Sequence, residues 1–154
     1  MNKRYYLIIS LLISLLLLSC TSSDKIGKLY TTENANQLFG EVKYSVEMNV
    51  NQLTNLLNRT HKTIMFGLIN QQLIILDNNR KLMYPEKADY KDSDVFIVYS
   101  VNMLRELLLD NKSEKQGDEK DENISIEQRQ EVLSISINEK TLETGIKCPP
   151  MCPD

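Results

Sequence analysis

The residues with the most chemical potential lie near the end of the chain, where Cys148-Pro149-Pro150-Met151-Cys152 precedes Pro153-Asp154. Beyond a proline-stiffened tail, two thiols at this spacing have three uses. A disulfide needs Cα atoms within about 7 Å, yet an extended step of four residues spans roughly 13 Å. Residues before proline are biased toward that extended backbone. Bridging Cys148 to Cys152 therefore requires a tight turn, with a cis proline as one route. Soft-metal binding is the second use, Met151 adding its sulfur to two thiolates for Cu(I), although the set is incomplete. Thiol–disulfide exchange is the third, but the spacing is Cys-x-x-x-Cys rather than the Cys-x-x-Cys of redox folds.

Other reactive side chains do not converge. Asp89, Asp92 and Asp94 are interleaved with Tyr90, Lys91 and Ser93, without the glycine and terminal glutamate of a calcium loop, and read as a solvated loop. The single histidine, His61, falls in the polar stretch Asn58-Arg59-Thr60-His61-Lys62, where a surface histidine is ordinary. No Gly-x-Ser-x-Gly elbow, His-Glu-x-x-His helix or phosphate-cradling glycine loop occurs, and five glycines leave little to build one from. No catalytic residue, metal set or cofactor site is nominated. A net charge of −3 supplies no basic footprint for nucleic acid.

The beginning of the chain carries a different signal. Met1-Asn2-Lys3-Arg4 is a short positive head, Tyr5 to Leu18 is apolar but for Ser10 and Ser14, and Thr21-Ser22-Ser23-Asp24 turns polar. That order describes an export signal, and the run is shorter than the ~20 residues of a spanning helix. Leu17-Leu18-Ser19-Cys20 resembles the lipobox of bacterial lipoproteins, with Leu18 where that family more often has a smaller residue. The resemblance covers residues 1–21. It implies cleavage of residues 1–19, diacylglycerol on the Cys20 sulfur and an acylated new amino terminus. Several acyl chains hold a domain on a membrane where one does so only marginally. Thr21 in place of aspartate implies, by the enterobacterial sorting scheme, the outer membrane where the cell has one. An exported location also permits disulfides.

These features must be positioned by the rest of the chain. Residues 20–37 are polar, without a periodic apolar face, and read as a flexible tether. Glu41–Val50 alternates Val42, Tyr44, Val46, Met48 and Val50 with polar residues, a half-buried strand. Leu53, Leu56 and Leu57 form a short helical stripe capped by Asn51. Three strands follow, Thr63–Ile69 with Gly67 at a bulge or close approach, Leu73–Leu76, and Arg80–Tyr84 stopped by Pro85. Val95–Tyr99 is a β-branched and aromatic strand, and Ser100 caps a helix striped by Val101, Leu104 and Leu108. Residues 111–122 are charged and read as a mobile insertion. Ile124–Gln130 fits either a strand or a helical turn, and Leu133–Ile137 alternates as a strand. No internal repeat is visible.

The expected architecture is one small α+β domain over residues 38–147, a largely antiparallel sheet with about two helices on one face, followed by a Cys/Pro-rich tail at 148–154. The expected function is a non-enzymatic binding or structural lipoprotein of the bacterial envelope. It would be anchored to the membrane at Cys20 and meet an envelope protein partner. The rival is a thiol-redox or copper-handling envelope protein using Cys148, Met151 and Cys152.

Overall fold

The computed structural model describes residues 25–113, 122–130 and 132–149. Cys20, the tail from Pro150 onward and most of the charged insertion lie outside them. In chain order the elements are β1 (Lys28–Thr31), α1 (Thr32–Phe39), β2 (Tyr44–Asn49), α2 (Val50–Leu57), β3 (Thr63–Ile69), β4 (Gln72–Asp77) and β5 (Leu82–Tyr84). Then come β6 (Phe96–Ser100), α3 (Val101–Ser113), β7 (Asn123–Gln128), β8 (Leu133–Ile137), β9 (Lys140–Glu143) and β10 (Ile146–Cys148).

The fold is a small single α+β domain with antiparallel pairing throughout, its strands divided between two sheets. One sheet runs β1-β9-β8-β7-β2 and the other β10-β6-β3-β4-β5. Alternation along each strand puts every second residue inward. Ile64, Phe66, Ile75 and Tyr99 of the second sheet thus meet Ile124, Ile126, Ile135 and Leu142 of the first in one apolar cluster. Helices α2 and α3 complete that cluster through Leu53, Leu57, Leu104 and Leu107. Local chemistry sets the helix starts. The Asn49 side chain accepts the Asn51 N–H at 2.8 Å, and Ser100 Oγ accepts the Met103 N–H at 3.4 Å.

Two stretches follow one plan. β2-α2-β3-β4-β5 and β6-α3-β7-β8-β9 each run strand, helix and three-stranded meander. Their helices read Val50-Asn51-x-Leu53-x-x-Leu56-Leu57 and Val101-Asn102-x-Leu104-x-x-Leu107-Leu108. The registers coincide as well. Phe66 lies opposite Ile97 and Ile75, as Ile126 lies opposite Val46 and Ile135. Ile75 then faces Tyr84 as Ile135 faces Leu142. The leading strands are exchanged, β2 pairing with β7 and β6 with β3. The chain therefore does contain an internal repeat, contrary to the sequence reading. Its signal is weak because the outer faces have diverged, with Met65, Ile74 and Leu76 matching Ser125, Ser134 and Ser136.

Other expectations are corrected at their edges. Residues 28–37, assigned to the tether 20–37, form β1 and most of α1. These are held by pairing with β9 and by a buried polar cluster rather than by an apolar stripe. Asn111–Ser113 continue α3 rather than opening the insertion at 111–122. Cys148 closes β10 instead of starting a tail at 148–154. Ile124–Gln130 resolves as a strand over its first five residues. Among the described residues, no helix is long and apolar enough to cross a membrane.

Candidate functional site

Three places gather polar side chains. The first is a cleft of about 720 Å³ between α2 and β5. Its helical wall is Gln52, Asn55 and Leu56, with Arg59 just past the helix end; Met83 and Tyr84 form the strand wall. Pro85, Glu86 and Lys87 close one end. Leu56, Met83 and Tyr84 belong to the central core or pack against it, so the floor is apolar and fixed. The rim is not. Gln52, Asn55, Arg59 and Lys87 are exposed, and among the described residues their side chains make no hydrogen bond or ion pair. Two amides and two cations against an apolar floor are unspent recognition groups. The cleft holds one carboxylate, Glu86, against the two cations, a local positive balance in a chain of negative net charge.

The second place is buried. Arg129 is fully enclosed on the outer face of the first sheet, under α1. Its Nη2 donates to Glu127 at 2.8 Å, its Nε to Ser134 at 3.0 Å, and its Nη1 to the Gly40 carbonyl at 2.7 Å and to Asn36 Oδ1. Ser134 also donates to Glu143, whose Oε1 lies 3.2 Å from Arg129 Nε. Glu143 Oε2 is buried without a partner among the described residues. Burial pushes the Glu143 carboxyl above its ordinary range, with Glu127 adding to the rise; the Ser134 hydrogen bond and the Arg129 charge pull against it. Glu143 in turn adds to the upward push that burial gives the Tyr99 hydroxyl on the other side of the sheet. Buried and spent on these partners, the cluster seats α1 on the sheet: Arg129 holds the carbonyl end of the helix, where a cation is favoured.

The third place surrounds Cys148, which is buried and disulfide-bonded, its partner outside the described residues. The Cys148–Pro149 peptide is cis. Arg80 lies at the centre here. Its Nη1 donates to Cys148 Sγ at 3.3 Å, its Nη2 to the Asp92 carbonyl at 3.2 Å, and its guanidinium stacks 5.2 Å from the Phe96 ring centroid. Asp92 and Asp94 therefore help to fasten the loop over the second sheet. Asp94 Oδ2 accepts the Lys91 N–H at 2.7 Å, and the carboxylates of Asp89, Asp92 and Asp94 do not converge. No group of metal-ligating side chains occurs among the described residues. His61 is exposed between α2 and β3, outside the cleft lining. Met151 and Cys152 fall outside the described residues, as does Cys20.

Sequence reasoning nominated none of Gln52, Asn55, Arg59 and Lys87. They are ordinary surface residues until the fold sets α2 beside β5. Arg80 and Arg129 gave no signal either, because an isolated arginine reads as solvated. No known protein family, curated protein or solved structure matches this chain.

Proposed function

We propose that this chain is a lipid-anchored, non-enzymatic binding module of the bacterial envelope, tethered at Cys20 and presenting the cleft between α2 and β5 to a ligand. The observation that carries it is the set of unspent groups at that cleft, Gln52, Asn55, Arg59 and Lys87, over a preformed apolar floor. Such a surface recognises without needing a nucleophile or a general base. The Lys3-Arg4 head, the apolar run and Leu17-Leu18-Ser19-Cys20 support delivery outside the cytoplasm, on the outer membrane where one exists. The disulfide at Cys148 supports binding over thiol or copper handling, since a bridged, buried sulfur presents no thiolate to metal or disulfide.

Mass spectrometry of the native product tests the anchor. Cys20 should be the first residue and carry fatty chains, and Cys20→Ser should move the protein to the soluble fraction. An intact Met1 start with unmodified Cys20 would end the envelope assignment. Thiol titration and copper analysis of the same preparation decide between the two classes. Stoichiometric Cu(I), or two reactive thiols, would favour the thiol and copper reading.

A further inference from the structure

The internal repeat provides a template for what the cleft takes. In the second repeat the strand matching β5 is β9, and its outer edge is occupied: β1 pairs with it antiparallel, Leu29 opposite Leu142. Leu29 packs against the central core from there, beside α3. Two ion pairs fasten this side, Lys25 with Glu106 at 3.4 Å and Lys140 with Asp110 at 3.1 Å. In the first repeat, β5 is the last strand of its sheet and nothing pairs with its outer side among the described residues. By the helix motif, Glu106 matches Asn55 and Asp110 matches Arg59. The helix positions that are spent on closing one repeat therefore stand unspent at the mouth of the cleft in the other.

We propose that the outer edge of β5 and the cleft beside it take an extended, acidic segment of another protein as an added strand, in the place β1 fills in the second repeat. This rests on reading the chain as a binding module and names the class of partner. Main-chain pairing to an open edge supplies affinity whatever the sequence, while side chains at alternate positions supply specificity. The residue opposite Tyr84 takes the position of Leu29 and points to Leu56 and Met83, so it is apolar. The flanking charge is set by the cleft itself: Arg59 and Lys87 stand at its mouth against the one lining carboxylate, Glu86. Carboxylates on the incoming segment complement both. The added strand is short, because Pro85 matches Glu143 and has no N–H with which to extend the ladder.

The test adds end-capped, fluorescein-labelled hexapeptides to the purified full chain in detergent and reads anisotropy and backbone amide shifts. The acidic probe is Glu-Glu-Glu-Leu-Tyr-Thr, patterned on β1; the controls are Lys-Lys-Lys-Leu-Tyr-Thr and the acidic probe N-methylated at leucine. The acidic probe should bind about 10-fold tighter than either control and weaken as salt rises. Its shifts should fall on Leu82–Tyr84 and α2. Arg59→Glu, a surface change that leaves the fold intact, should reverse the preference toward the lysine peptide. Equal binding of the three peptides, shifts confined to other surfaces, or an unreversed preference in Arg59→Glu would each overturn the proposal. So would slow amide exchange along the β5 edge of the free chain, since that edge would already be filled. Lipid on Cys20 without peptide binding would remove this inference alone; peptide binding by a chain with unmodified Cys20 would remove the envelope assignment alone.

Discussion

Glu143 shows how one carboxyl links stability to pH. Its burial favours the protonated form in the folded chain, so its folded pKa lies above its unfolded one. The stability it contributes is whole below the ordinary carboxylate range and is lost as pH rises through the raised value. Glu143→Gln should therefore unfold like the parent at pH 4 and be more stable at pH 8, by about 1–3 kcal/mol, the cost of burying a poorly satisfied polar group. Urea unfolding at the two pH values checks this; equal stability at pH 8 would place the carboxylate at ease where it is. Arg129 is the counterpart. Arg129→Ala leaves Glu127 and Glu143 facing each other without their shared cation, and about 3–5 kcal/mol should be lost in the same measurement. Neither residue announces itself in the sequence. Glu127 and Arg129 read as surface because the outer face of that sheet is polar, and only α1 above it encloses them.

At the scale of elements, legibility followed periodicity. The alternation from Tyr44 to Asn49 and from Leu133 to Ile137, and the stripes in α2 and α3, were readable because each buries one apolar face. Helix α1 was not. Only Ala35 is buried along it and Leu38 is 64% exposed, so it carries no apolar stripe, and Arg129 and the Tyr30–Phe39 ring contact seat it instead. The cleft was illegible for a related reason, since it is formed by the distance between α2 and β5 rather than by any residue pattern. The repeat turns the shared helix motif into a prediction. Leu53 and Leu104 occupy matching positions and are both fully buried. Leu53→Ala and Leu104→Ala should each cost about 2–5 kcal/mol, with matching losses in denaturant midpoint. A large loss at one and none at the other would break the equivalence of the two helices.

For the whole molecule, the exchange of leading strands decides how its parts depend on one another. A chain cut between Asp94 and Val95 separates the repeats, yet neither piece retains a complete sheet. The first piece keeps the β3-β4-β5 meander but loses β6 and β10 from its edge. The second keeps β7-β8-β9 but loses β2 on one side and β1 on the other. The shared core is divided as well, because Phe66 and Tyr99 stack edge to face across the cut. Each piece alone should therefore expose the inner face of its meander and show poorly dispersed amide resonances, while mixing the two should restore the spectrum of the intact chain. Recovery should depend on concentration, since an intramolecular closure has become a bimolecular one. A well-dispersed spectrum from either isolated piece would mean that its meander and helix fold without the exchanged strand, and that the two repeats are neighbours rather than halves of one core.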